Sequence, residues 1–282
     1  MAVPTRVLHV SDLHFGTRED PVVERAVAQL VGRVDPELVV ASGDLTNRGR
    51  PEQHERAARF LHGLGPPVLA IPGNHDIPYT FPARFTHPWR EFERHWETTE
   101  PVYRSETVFA LGLNSVRPWR HQSGGIRESR LDAALAPLRE APDGVLKVVA
   151  LHHQMIGAPW RSRKKPVARR NAVLAKLVDC GAELVLGGHI HQAAVSERHE
   201  FEVARAEGEP GVVVSIAPGL GQPRPNRRGE ARGLHVYAVE PAAIEVETYI
   251  WRRGGWGLTA VRRFPRGRET LSEGEASVLP AP

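Results

Sequence analysis

Five short apolar runs in this chain each end in a cluster of the same few polar residue types. Arg6–Ser11 leads into Asp12-Leu13-His14, Leu38–Ala41 into Ser42-Gly43-Asp44, and Val68–Ile71 into Pro72-Gly73-Asn74-His75-Asp76. Lys147–Leu151 leads into His152-His153, and Glu183–Leu186 into Gly187-Gly188-His189-Ile190-His191. Between the first three runs the apolar residues fall at helical spacing. Val23, Ala26, Val27, Leu30 and Val31 mark Pro21–Arg33, and Ala57, Ala58, Phe60, Leu61 and Leu64 mark Glu52–Leu64. Strand and helix in alternation predict βαβ units and a largely parallel sheet. In such a sheet the carboxyl ends of the strands share one edge, so the five polar clusters are expected to meet there.

The rest of the chain fits one α/β domain over 1–264. Thr107–Asn114 and Val145–His152 read as strands, and helices are expected near Arg130–Arg139 and over Ala172–Asp179. Beyond residue 210 the pattern is nearly all strand: Val212–Ile216, Leu234–Val239 and Ile244–Trp251. In the last of these, Ile244, Val246, Thr248 and Ile250 alternate with Glu245, Glu247, Tyr249 and Trp251, the period of a half-exposed antiparallel strand. Residues 265–282 are polar and read as a loose tail. Residues 77–105 break the rhythm with Tyr79, Phe81, Phe85, Trp89, Phe92 and Trp96 set among prolines and charges. Such an insert either makes a small local core or caps a substrate pocket.

Charge says little about partners. Lys and Arg number 37 against 33 Asp and Glu, so the net charge is only +4, and a habit of arginine throughout the chain does not by itself imply nucleic acid. The single cysteine, Cys180, excludes an intrachain disulfide and reads as a small buried apolar residue in a reducing compartment. The apolar stretch Val7–Val10 is too short for a leader or a membrane span, and cleavage of a leader would remove Asp12. These features predict a cytoplasmic protein with no membrane partner.

Taken singly, a histidine at a strand end is more often structural than functional. Taken together, the five clusters supply carboxylates, imidazoles and an amide with no thiolate, a set that favours Mn, Fe or Zn over a cysteine-type structural zinc. The i, i+2 spacing in Asp12-x-His14 and His189-x-His191 is expected to point both side chains one way from extended backbone. There are two imidazole–carboxylate sets, with Asp44 spare to bridge two ions. Two ions about 3.5–4 Å apart suit phosphoryl displacement. The glycines before Asp44, Asn74 and His189 are expected to permit tight turns.

Asp-x-His, Gly-Asp, Gly-Asn-His-Asp, a strand-end His and Gly-His-x-His, in that order, resemble the calcineurin-like metallophosphoesterases over roughly residues 5–192. The resemblance implies a four-layer αββα sandwich of two mixed β-sheets flanked by helices, with a dinuclear site. By motif position, Asp12, His14 and His191 would hold one metal, Asn74, His152 and His189 the other, and Asp44 would bridge them. His75 matches the histidine that contacts phosphate and protonates the leaving oxygen, and Asp76 would orient it. Gln154 departs from the proline that often follows the strand-end histidine. The implied reaction is in-line attack of a metal-bound hydroxide on phosphorus, with two divalent ions (Mn or Fe, Zn compatible).

Within the family, the single domain and the Gly43-Asp44-Leu45-Thr46-Asn47 segment look most like the bacterial phosphodiesterases. Small phosphodiesters, cyclic nucleotides foremost, are the expected substrates. A phosphomonoesterase or nucleotidase, a single-stranded nuclease using the basic run Arg161, Arg163, Lys164, Lys165, Arg169 and Arg170, and a metal-free scaffold are the alternatives. Asn114 and the Arg117–Gly125 loop are further candidates to line the pocket.

Overall fold

The computed structural model describes residues 4–17, 20–120, 122–156, 164–191, 201–204, 212–221 and 231–266. The strands form two six-stranded mixed sheets rather than one largely parallel sheet. In the first, β1 (Thr5–Val10), β2 (Leu38–Ala41) and β3 (Val68–Ala70) run parallel, with α1 (Pro21–Val34) and α2 (Pro51–His62) as crossovers. The sheet continues antiparallel from β1 through β10 (Gly233–Val239), β11 (Ala243–Arg252) and β12 (Gly255–Pro265). Short turns join these last strands, and a short turn permits only antiparallel pairing. The second sheet is parallel through β5 (Val108–Leu113), β6 (Leu146–Leu151), β7 (Leu184–Gly187) and β9 (Val212–Ile216). Antiparallel edges close it at β4 (Val102–Arg104) and β8 (Phe201–Ala204).

Neighbouring residues on each strand serve different layers. Val7 and Val40 enter the core between the sheets, while Leu8 and Val39 face α1 and α2 on the outside. Val108 and Ala110 face the inner core, whereas Phe109 and Leu111 pack outward beneath α5 (Glu128–Arg139) and α6 (Arg170–Asp179). Three apolar layers thus separate four structural layers, helix–sheet–sheet–helix. Helix α1 shows how sequence sets this up: Asp20 caps its first turn, accepting from the N–H groups of Val22 and Val23, and Pro21 opens it. Its buried side chains Val23, Val27, Leu30 and Val31 form one stripe, each adding about 1.5–3 kcal/mol on burial.

Three strands had no clear signal. β12 is an edge strand with Leu258 and Val261 half-exposed, and β4 is a three-residue edge, so neither carries a strong apolar pattern. The four residues of β8 likewise lie on an edge. Pro265 ends β12, and Arg266 still bonds Glu183 and the Gly144 carbonyl. The rest of the expected tail lies outside the described residues. No helix among the described residues is long and apolar enough to cross a membrane.

The insert divides in two. Phe92 and Trp96, on α4 (Arg90–Trp96), are buried in the outer core of the first sheet. Tyr79, Phe81 and Phe85, around α3 (Ala83–Thr86), stay on the surface. Cys180 is buried beneath α5 and α6 as a free thiol.

Candidate metal centre

The five polar clusters lie just past the ends of β1, β2, β3, β6 and β7, so they are drawn from both sheets rather than from one sheet's edge. The loops are laced together: Asp12 N–H donates to Gly43 O, His14 N–H to Asp44 O, and Gly188 N–H to His152 O. Asp12, His14, Asp44 and His191 bring one ligand atom each within 4.8 Å of one another, and so do Asp44, His152 and His189. All are buried, and Asp44 belongs to both groups. Asn74 Oδ1 lies 3.2 Å from His152 Nε2, which adds the amide to the second group.

Extended backbone is not what aims these side chains. Asp12, His14, Asp44, His189 and His191 all have positive φ, between 50° and 75°. The strands have already ended, and the chain turns through the left-handed region at each motif, a conformation that costs energy for a residue with a side chain. Strain of this kind concentrated in one cluster marks a site held in place by its surroundings. The glycines act in two ways. Gly43 has φ +88°, while Gly73 has no special φ and instead leaves space, since a Cβ there would lie 2.1 Å from Asp44 N.

Each carboxylate has one oxygen tied to the protein and one left over. Asp12 Oδ2 accepts from Ser11 Oγ (2.7 Å) and His189 N–H (2.9 Å), and Asp44 Oδ1 accepts from His75 N–H (2.8 Å). Asp12 Oδ1 and Asp44 Oδ2 are buried with no hydrogen bond among the described residues. The imidazoles are oriented to match. His152 Nδ1–H donates to Ser42 O (2.9 Å) and His189 Nε2–H to Gln122 O (3.2 Å), which turns the lone pairs of His152 Nε2 and His189 Nδ1 toward each other at 3.1 Å. His14 Nε2 and His191 Nε2 also stand 3.1 Å apart. Buried anionic oxygens and facing imidazole nitrogens are costly unless a cation joins them. The residues therefore fit a pair of divalent metals.

The electrostatics agree. Burial pushes the Asp12 carboxyl up, but His191 and His152 outweigh it and hold the group well below the carboxylate range. Asp44 is likewise held low against burial by His152, His75 and His14. Burial drives His14 and His189 well below the usual imidazole value. It opposes the charge on His152 too, yet Asp44 at 3.4 Å lifts that imidazole to about 9. The cluster draws positive charge, as a proton or as a metal.

His75 stands beside the cluster, its ring edge-on to His14 at 4.9 Å between centroids. Its Nδ1 lies 2.7 Å from the Asn47 carbonyl, which can only accept, so Nδ1 carries a proton. The expected contact from Asp76 to this ring is replaced by Asn47, because the Asp76 carboxylate is engaged elsewhere. It accepts from the N–H groups of Leu45, Thr46 and Gly73 and from Thr46 Oγ1, pinning the loops after β2 and β3 to each other. Burial and the Asp44 charge push Asp76 up to about 6 against those donors. His153 turns away to Ser115 Oγ (2.9 Å), with its Nε2 buried and unbonded among the described residues. In the basic run, Lys164 Nζ donates to the His189 carbonyl and Arg169 pairs with exposed Glu128, while Arg161 and Arg163 lie outside the described residues. Ser11 and the Asn47 carbonyl escaped the sequence reading, the first because it lies outside the motifs and the second because it acts through a backbone atom. Gln122, by contrast, falls in the Arg117–Gly125 loop and Tyr79 in the insert, both expected near the pocket.

A family model for calcineurin-like phosphoesterases matches residues 5–193. The chain belongs to that family. It is 29% identical over 212 residues to a probable cyclic nucleotide phosphodiesterase of Synechococcus sp., covering 70% of this chain and 77% of the relative. It is 41% identical over 78 residues to a glycerophosphodiester phosphodiesterase of Enterobacter lignolyticus, a match spanning 24% of this chain and only 28% of that protein. The purple acid phosphatase PPD1 of yellow lupin (Lupinus luteus) shares the fold, with TM-score 0.65 at 10% identity over 95% of this chain and 55% of that one. As a calcineurin-like phosphoesterase, the chain is a metal-dependent hydrolase of phosphoric esters, and the buried Asp/His cluster has the residues that fit such metals.

Proposed function

We propose that this calcineurin-like phosphoesterase hydrolyses small phosphodiesters, with cyclic nucleotides the leading class. The observation that carries the reading is His75, placed beside a buried seven-residue ligand set with Nδ1 committed to Asn47 and Nε2, 3.5 Å from the Tyr79 hydroxyl, as the nitrogen that would meet substrate. Asp12, His14 and His191 would hold one metal and Asn74, His152 and His189 the other, with Asp44 shared, Mn or Fe being the expected ions. When bound, such a pair makes water nucleophilic near neutral pH and offsets charge on the phosphoryl oxygens. Asn74 keeps its oxygen toward His152, which leaves its amide N–H groups to donate to a phosphoryl oxygen. In its imidazolium form His75 carries a proton on each ring nitrogen, and as the bond from phosphorus to the leaving oxygen breaks it passes the one on Nε2 to that oxygen and returns to the neutral ring. Nδ1–H stays on Asn47 and fixes the ring. The single buried thiol, Cys180, supports a reducing, cytoplasmic setting.

The test is hydrolysis of bis-(p-nitrophenyl) phosphate beside p-nitrophenyl phosphate by the manganese-reconstituted protein. Strong diesterase and weak monoesterase activity is expected. The reverse preference would replace the reading with that of a phosphatase.

A further inference from the structure

The surface half of the aromatic insert meets the cluster through Tyr79, which lies against His75. The Tyr79 hydroxyl lies 2.8 Å from His75 Nδ1, the nitrogen whose proton goes to Asn47. That fixes the phenol ring beside His75 while leaving its outer side exposed, at 43%. Burial and the nearby Asp44 charge raise the hydroxyl to about 12, so it stays neutral throughout the working range.

A second element reaches the cluster from another side. In the loop that carries Trp119, the Gln122 carbonyl accepts from His189, and Gly124 packs so closely on His153 that a Cβ would lie 2.3 Å from its ring. This loop therefore borders the far side of the cluster. Arg84 joins the two sides. It is 3% exposed, and its guanidinium donates to Pro118 O (2.7 Å) through Nε and to Pro78 O (3.1 Å) through Nη1. One rigid planar group thus spaces the residues that precede Tyr79 and Trp119. Trp119 is 58% exposed, an unusual placement for an indole held on so constrained a loop.

We propose that Tyr79 and Trp119 form an aromatic clamp over the cluster that grips a planar, base-like substituent on the phosphate ester. The clamp determines specificity: a phosphate reaching the metals carries its organic group between or onto two rings whose orientation is set before binding, which lowers the entropy lost on binding. Stacking of a base on an aromatic side chain tolerates different bases. The class selected is the nucleotide-like ester, over esters of glycerol or other small polyols. This rests on the phosphodiesterase reading only for where the phosphate sits.

The experiment measures binding rather than turnover. Adenosine 5′-monophosphate and ribose 5-phosphate, which differ only in the base, are titrated calorimetrically into the manganese-loaded wild type, Tyr79→Ala and Trp119→Ala. The wild type should bind the nucleotide about tenfold more tightly than the sugar phosphate. Each variant should lose most of that margin while its affinity for ribose 5-phosphate stays within about twofold of wild type. Equal affinities in the wild type, or a margin that survives in both variants, would overturn the clamp. A protein that shows the margin but leaves bis-(p-nitrophenyl) phosphate intact would keep the clamp and lose the proposed reaction.

Discussion

Gly188 tests whether the metal cluster depends on close packing of its loops. A Cβ at this position would lie 1.8 Å from Ser11 Oγ, 2.7 Å from Asp12 Oδ2 and 2.8 Å from Ser11 Cβ. Ser11 is fully buried, so Gly188→Ala forces its hydroxyl to rotate, and the rotation breaks the 2.7 Å bond to Asp12 Oδ2. Even then Asp12 Oδ2 and Ser11 Cβ remain closer than a methyl group tolerates. The carboxylate must shift by several tenths of an ångström, and with it Oδ1, the oxygen left for the metal. Losing a hydrogen bond to a charged group costs about 1.5–3 kcal/mol, and disturbing the support of a metal ligand lowers affinity about 10–100-fold. The assay is a manganese titration of wild type, Gly188→Ala, Ser11→Ala and the double variant. Gly188→Ala should weaken the site containing Asp12 by at least tenfold and leave the site of His152 and His189 occupied. The double variant should be less impaired than the two single losses added together, because both act on one hydrogen bond. Wild-type affinity in Gly188→Ala would refute the reasoning.

Three further outcomes follow from the same geometry. His75→Ala should keep its full metal content, measured by elemental analysis, while kcat falls about 10²–10⁴-fold, and near-normal turnover would remove the proton-transfer role. Asp76→Ala strands three backbone N–H groups, and should lose more than about 3 kcal/mol in denaturant melts. His235 is buried, and burial lowers it from 6.5 to about 4, so its contribution is complete above pH 6.5 and is lost as the pH falls toward 4, where the unfolded chain takes up the proton first. The loss from this residue is about 3 kcal/mol, and His235→Asn should flatten the pH dependence of stability by that order.

Much of this molecule could be read before folding, where the signal was local. The face of α1 was visible in Val23, Val27, Leu30 and Val31, and the alternation of β11 in Ile244 through Trp251. The proposed ligand residues stood out because they recur after apolar runs. Three things were not visible, each for a physical reason. Sheet membership is set by pairing between distant strands, so the separation of β1–β3 from β5–β7 does not show in the periodicity. The left-handed turns at Asp12 and His189 leave no mark of their own, since aspartate and histidine are ordinary in extended backbone too. The role of Asp76 was misplaced because a carboxylate beside a histidine suggests a side-chain pair, whereas this one gathers backbone N–H groups from two loops.

The central claim is that one buried carboxylate, Asp44, joins two metal positions. Elemental analysis of the manganese-reconstituted protein, with Asp44→Ala beside it, tests this most directly. Two metal ions per wild-type chain are expected, with both lost, or bound at least 100-fold more weakly, in Asp44→Ala. A single ion in the wild type, or two retained in the variant, would contradict that claim.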